Sequence, residues 1–131
     1  MAFATDMKAA ARRHLEAGDI LMANQRRDVA GYLYGIAAEC AVKAMMIEFG
    51  MRPVPEKKSD PFFAHFPELR SMLRDVLRGR KGTPLVRLIQ DDRFLNHWST
   101  HMRYSHGKDI DDRWVIAWAC QARQAIAAIG T

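Results

Sequence analysis

The sequence predicts an all-α protein, an up-and-down bundle of about five helices. Apolar side chains recur at helical spacing in five segments, and no segment alternates apolar and polar residues as a strand would. Hydrophobic residues make up 49% of the 131 residues and charged residues 27%, which allows one sizeable core. We therefore expect residues 1–131 to form a single domain.

Two helices are predicted in the first 50 residues. The first starts after Thr5 or Asp6, either of which can cap it, and continues to about Ala23. The second extends from Arg26 to Phe49 with a wide apolar stripe and stops at Gly50. At 1.5 Å per residue it is about 35 Å long, so we expect it to be the central helix.

Gly31 and Gly35 lie inside this second helix, where glycine lowers helix stability. The simplest explanation is that a neighbouring helix approaches closely over a surface without side chains. Residues 50–64 follow with three prolines and a cluster of charges. This composition predicts a loop between the second and third helices.

Three more helices are predicted in the second half of the chain. The third begins at residues 65–69, with Pro67 in its first turn, and the fourth is capped by Thr83 and continues towards Tyr104. Aspartates from residue 109 to residue 112 favour the start of the fifth helix. Its apolar stripe runs to Ile129.

Several classes of protein are disfavoured by the composition. No apolar run approaches the roughly 18 residues needed to span a bilayer, and charges interrupt the first 18 residues where a secretory signal is apolar. We expect a cytoplasmic protein with no membrane partner. Cys40 and Cys120 lie in apolar helical patterns, which predicts small buried side chains and no metal site or disulfide.

The second helix reads AGYLYGIAAECAVKA from Ala30 to Ala44. This string resembles the HEPN family, the higher eukaryote and prokaryote nucleotide-binding domains, in which Tyr-Leu-x-Gly commonly precedes Ala-Glu-Cys-x-x-Lys. Residues 65–69 resemble the family's His-x-x-x-Leu start of a middle helix, and the segment from Trp98 to Tyr104 resembles its Trp, four residues, Arg-Tyr pattern. The resemblance covers nearly the whole chain, and its motif residues here include Glu39, Lys43, Trp98 and Tyr104.

The resemblance implies a helical bundle, often dimeric, in proteins tied to RNA. Some members are metal-independent ribonucleases, some are partners of minimal nucleotidyltransferases in toxin-antitoxin pairs, and others are inactive binding modules. We expect a homodimeric module that associates with RNA or with a nucleotidyltransferase, without a cofactor and without catalysis. A purely structural assembly domain is a further alternative.

A ribonuclease toxin is the alternative from the enzyme class. The ribonuclease members use an arginine followed after four to six residues by a histidine, and none of the five histidines here has an arginine at that spacing. On a continuous fourth helix, Arg93, His97 and His101 would instead share one stripe, near Arg103 and His106. One imidazole would then deprotonate a ribose 2′-hydroxyl while another protonates the leaving oxygen.

Charge provides two further candidates. Glu39 interrupts an apolar run, so a buried carboxylate there needs Lys43, at i+4, or Arg103 as its partner; the alternative is an exposed pair with Lys43. The net charge is +5, and residues 70–93 contain seven basic and three acidic side chains. This segment is either a solvated face or a surface for a polyanion. Its predicted nucleic-acid contacts are Arg70, Arg74, Arg78, Arg80, Lys81 and Arg87.

Overall fold

A computed structural model describes residues 5–131 and confirms the all-α bundle. Its five α-helices are α1 (Met7–Ala23), α2 (Arg27–Glu48), α3 (Glu68–Val76), α4 (Pro84–Gln90) and α5 (Asp112–Ala128). Short 3-10 helices lie at Lys57–Ser59, Pro61–Phe63, Thr100–Tyr104 and Gly107–Asp109, and residues 5–131 contain no strand. None of the helices in this range combines the length and apolar character needed to cross a bilayer.

The ends of the first two helices agree with the sequence to within two residues. Asp6 caps α1, because its carboxylate accepts a hydrogen bond from the amide of Ala9 at 3.0 Å. Gly50 follows the end of α2 with a φ of +96°, a conformation that favours glycine. Residues 50–64 lack α-helix, as predicted, and contain two of the 3-10 turns.

The central helix is α2, most of whose residues between Ala30 and Met46 are buried. It packs against α1 and α5. Near the start of α2, Arg27 pairs with Asp112 at 3.0 Å, and near its end Glu48 accepts a hydrogen bond from the amide of Gly130 at 3.0 Å. The start of α5 thus lies beside the start of α2 and the end of α5 beside the end of α2, so the two helices are parallel.

The two glycines inside α2 pack against different parts of the chain. Gly31 lies against α5, where a Cβ would sit 3.0 Å from Val115 and from Trp118, so the predicted close helix approach is confirmed there. At Gly35 a Cβ would overlap the indole of Trp98, which belongs to a turn rather than to a helix. The Trp98 Nε1 donates to the carbonyl of Gly31 at 3.2 Å.

Three side chains join α1, α2 and α5. The hydroxyl of Tyr34, a buried residue, donates to Asp19 Oδ1 at 2.6 Å, and Arg123 Nη2 reaches the same oxygen at 2.5 Å. Burial, together with the Asp19 carboxylate, raises the pKa of Tyr34 to about 12. Burial alone would raise the pKa of Asp19, but the hydrogen bonds from Tyr34 and Arg123 outweigh it and leave the pKa lowered.

Substituting Gly35 tests the contact between α2 and Trp98. We expect Gly35→Ala to lower the free energy of unfolding by at least about 1 kcal/mol, because the added Cβ overpacks the site, although alanine alone favours a helix. Urea denaturation would measure this. In a Trp98→Leu background the added Cβ has room, so Gly35→Ala should lower the free energy of unfolding by less. If the losses of the two single variants simply add in the double variant, the close contact between Gly35 and Trp98 is refuted.

Alkaline unfolding tests the role of Tyr34. The folded protein keeps the phenol protonated up to a pKa of about 12, whereas the unfolded chain releases this proton near 10.0. The contribution of Tyr34 to stability is therefore complete below pH 10 and declines as the pH rises towards 12. Urea denaturation of the wild type and Tyr34→Phe across this range should show their difference in unfolding free energy shifting in favour of Phe. A constant difference would refute the assignment.

Candidate functional site

The prediction of one continuous fourth helix from Thr83 towards Tyr104 is wrong. Thr83 caps α4 as expected, its hydroxyl accepting a backbone hydrogen bond at 3.2 Å, but the helix ends at Gln90. Leu95 and His97 have φ values of 54° and 70°, in the left-handed region that an α-helix cannot contain. Residues 91–99 therefore form turns.

The predicted stripe of Arg93, His97 and His101 is consequently absent. His97 stacks on Trp114 with ring centroids 4.4 Å apart and planes 15° apart. Arg93 Nε pairs with Asp91 Oδ1 at 3.2 Å. Between residues 5 and 131, no hydrogen bond, ion pair or ring stack joins the three predicted catalytic side chains of this stripe.

His106 occupies yet another turn. Its Nδ1 accepts a hydrogen bond from the amide of Lys108 at 3.2 Å, which assigns the proton of the neutral ring to Nε2. His101 lies in the preceding 3-10 helix, where its amide donates to Ser99 Oγ at 3.2 Å. The predicted general acid and base are thus distributed over separate turns.

Arg103 belongs to a stack of planar groups that starts in the core and ends at the surface. Tyr32 stacks on Trp98 with centroids 5.9 Å apart and planes 17° apart. The guanidinium carbon of Arg103 lies 5.6 Å from the ring centroid of Tyr32 and 5.3 Å from that of Tyr104. Trp98 is 1% exposed and Tyr104 is 80% exposed. We call these four side chains the aromatic stack.

A cleft of about 240 Å³ opens beside the aromatic stack, with Tyr32 and Arg103 in its wall. Asp28 lies on the far side against Gly107, where a Cβ would be 3.0 Å from Asp28 Oδ2. Arg26 holds the Asp28 carboxylate through two hydrogen bonds of 3.2 Å, and these lower the pKa of Asp28. The acidic wall of the cleft is therefore already neutralised.

A larger groove of about 860 Å³ adjoins this cleft at the start of α5. Its wall contains more carboxylates than cations, so the groove is unsuited to a phosphate chain. The charged residues of the wall are Arg27, Asp28, Lys108, Asp109, Asp111 and Asp112.

Two of the six predicted nucleic-acid contacts donate hydrogen bonds to backbone carbonyls of the protein itself. Arg70 Nη1 donates to the carbonyl of Asp91 at 2.7 Å, and its Nη2 donates to the carbonyl of Phe94. Arg74 Nε donates to the carbonyl of Ile89 at 3.0 Å. Burial lowers the pKa of Arg70. Both side chains thus hold α3 against α4 and the turns that follow.

Three of the other four predicted contacts lie between α3 and α4, and the fourth, Arg87, lies within α4, where its Nη1 donates to the carbonyl of Gly82 at 2.9 Å. Gly79 and Gly82 have φ values of +80° and +85°, which reverse the chain here. The guanidinium carbon of Arg80 lies 5.7 Å from the ring centroid of Phe49 at the end of α2. We call these exposed cations the basic turn: Arg78, Arg80, Lys81 and Arg87.

Glu39 is buried with Lys43 as a partner, which is one of the predicted arrangements, and no contact joins it to Arg103 in the described residues. The carboxylate accepts hydrogen bonds from His65 Nδ1 at 2.8 Å and from the amide of Phe66 at 3.0 Å. Lys43 Nζ, also buried, lies 3.4 Å from the same carboxylate. The network therefore fixes the start of α3 to the middle of α2.

The described residues contain no cluster of three or more His, Cys, Asp or Glu side chains that could hold a metal ion. Cys40 is half-buried, and its burial raises the pKa of the thiol to about 11. Cys120 is exposed, so its predicted burial is wrong. It lies on the outer side of α5, whose buried residues are Val115, Trp118, Ala122 and Ala125.

Sequence reasoning missed two residues of these networks. The sequence pattern indicates His65 only as part of the segment that starts the third helix, whereas its side chain contacts Glu39 in the structure. Tyr32 lies in the string that carries the resemblance, yet only the structure pairs it with Arg103. Each pairing joins residues far apart in the chain, which periodicity cannot reveal.

Comparisons with protein-family models, curated proteins and solved structures find no match to this chain.

Substituting Glu39 tests the buried network. Glu39→Gln leaves the Lys43 charge without a counterion, so we expect the free energy of unfolding to fall by about 3–5 kcal/mol. Chemical denaturation measures this loss. The double variant with Lys43→Met also removes the stranded charge and should recover part of the stability. If the double variant is less stable than Glu39→Gln alone, the unpaired charge of Lys43 is not the cause of the stability loss in Glu39→Gln.

Proposed function

We propose that this chain is a HEPN-like helical module that associates with RNA and does not cleave it. The three segments that carry the resemblance meet on α2, which supports a shared architecture. Glu39 accepts hydrogen bonds from the segment that starts α3, Trp98 covers Gly35, and Arg103 lies over Tyr32. The residues of the family pattern thus contact one another in this chain.

The basic turn is the observation that carries the association with RNA. Its four cations are exposed, and within residues 5–131 only Arg78 pairs with a carboxylate, that of Asp75 at 3.2 Å. Both members of that pair are largely exposed, so the interaction is weak and leaves the cation available. Lysine and arginine side chains in this setting bind phosphates without reading sequence.

The arrangement of the histidines supports a binding role over a nuclease. Cleavage by general acid and base needs two groups within hydrogen-bond reach of one ribose phosphate. His97 stacks on Trp114, whereas His101 and His106 lie in two later turns. We therefore favour the module over the ribonuclease alternative.

The module is proposed to act as a homodimer, and a minimal nucleotidyltransferase is the class of partner protein that the resemblance implies. Large apolar side chains are exposed on four of the α-helices, as expected where copies of the chain meet. They include Ile20 on α1, Val29 and Ile47 on α2 and Ile116 on α5.

Neutralising the basic turn tests the proposed function. The variant replaces its four cations by glutamine, and a control of equal net charge replaces four exposed cations elsewhere, Lys8, Arg12, Arg13 and Lys58. Fluorescence anisotropy with a labelled 12-nucleotide single-stranded RNA measures affinity from about 50 to 200 mM salt. We expect the basic-turn variant to lower the salt slope by up to about 3, because each lost phosphate contact removes about 0.7.

The control variant should bind nearly as tightly as the wild type, and the RNA should remain intact throughout. Equal losses in both variants would mean that net charge alone attracts RNA. Absence of binding at low salt would refute the association. Cleavage by the wild type that His97→Ala, His101→Ala or His106→Ala abolishes would instead support the ribonuclease.

A further inference from the structure

The outer end of the aromatic stack offers a free planar surface. The Arg103 guanidinium covers one face of the Tyr104 ring at 5.3 Å from its centroid. Because Tyr104 is 80% exposed, its opposite face is open to solvent. The ring is nevertheless held in place from below, since Arg103 rests on Tyr32 and Tyr32 rests on buried Trp98. An exposed ring supported in this way is a preformed surface for another planar group.

We propose that the open face of Tyr104 stacks on an unpaired base of single-stranded RNA, with the adjacent phosphate bound by Arg103. This inference rests on the proposed association with RNA and adds a site for the base. Aromatic side chains bind bases in this way because every base has a π face, and the contact tolerates any sequence. It requires an unpaired base, since bases within a duplex are stacked on one another.

Arg103 is prepared to bind the phosphate. Its Nε donates to the carbonyl of Thr100 at 3.1 Å, which fixes the plane of the guanidinium. In the part of the chain that the structure describes, its Nη atoms form no ion pair, so they are available to phosphate oxygens. Residues 100–108 contain Arg103, Lys108 and two histidines but no acidic residue. The segment that carries Tyr104 therefore supplies cations and no carboxylate, and Asp28 across the cleft is paired with Arg26.

The site for the base is separate from the basic turn. Tyr32 lies near the start of α2 and Phe49, which contacts Arg80 of the basic turn, caps its end. Seventeen residues of helix separate them, about 26 Å along the axis. Substitutions at one site therefore leave the other intact, which makes the two contributions measurable independently.

The test compares two labelled probes of 12 nucleotides: oligouridylate, and a ribose-phosphate chain of equal length without bases. Anisotropy measures their affinities for the wild type, Tyr104→Ala, Tyr104→Phe and Phe63→Ala. Phe63 is a matched control, being 54% exposed and 5.1 Å from the Lys57 ammonium, outside the aromatic stack. Circular dichroism and sedimentation check that each variant keeps its helicity and mass.

We expect Tyr104→Ala to weaken oligouridylate binding by about 5- to 150-fold, the range for loss of one stacked base. Its affinity for the chain without bases should stay within about twofold of the wild type. Tyr104→Phe, which keeps the ring, and Phe63→Ala should both bind oligouridylate normally.

Two outcomes would overturn the inference in distinguishable ways. If the wild type binds both probes with equal affinity and Tyr104→Ala changes neither, the association with RNA stands but depends on charge alone. If the wild type binds neither probe at low salt, the proposed function fails and the stacking site fails with it.

Discussion

The contact between the Trp98 indole and the backbone of α2 positions the rest of the candidate site. Only glycine at position 35 leaves room for the ring, and the indole Nε1 is satisfied by the carbonyl of Gly31. This contact helps to fix the turns after α4, together with hydrogen bonds that Gln121 and Trp118 of α5 make to the backbone of residues 93–96. Tyr32 then stacks on Trp98 and Arg103 on Tyr32, so the exposed ring of Tyr104 depends on a core contact.

The Glu39 network plays the corresponding role for α3. Its carboxylate binds the amide of Phe66 and thereby fixes where α3 begins, while Arg70 and Arg74 join that helix to backbone carbonyls between residues 89 and 94. These buried donors and acceptors are costly to leave unpaired, so they define one arrangement of α3 and α4. These contacts also position the basic turn, which comprises the connection between the two helices and Arg87 of α4.

The sequence predicted the helices that its own local signals specify. Asp6 caps α1, Gly50 follows α2, and α5 begins where the aspartates accumulate. The predicted fourth helix is too long because the buried residues after Gln90 recur at a spacing that is also typical of a helix, although they lie in turns. The left-handed backbone at Leu95 and His97 has no signal in the residue types, which rarely adopt it. The pairing of Glu39 with Lys43 follows from their i+4 spacing, but the sequence does not reveal the contacts of Glu39 with His65 and Phe66 or those of Arg70 with backbone carbonyls, because these partners are distant in the chain.

On the proposed function, the two surfaces contribute different kinds of binding energy. The basic turn attracts phosphates at any position along a strand, so it supplies affinity that weakens with salt. The aromatic stack requires an exposed base, so it supplies a preference for unpaired RNA that salt affects less. At a rise of about 3.4 Å per stacked nucleotide, the roughly 26 Å between them along α2 corresponds to about eight nucleotides. A single strand that binds both sites therefore needs at least about eight nucleotides, and electrostatic repulsion is lowest where the strand avoids the acidic groove at the start of α5.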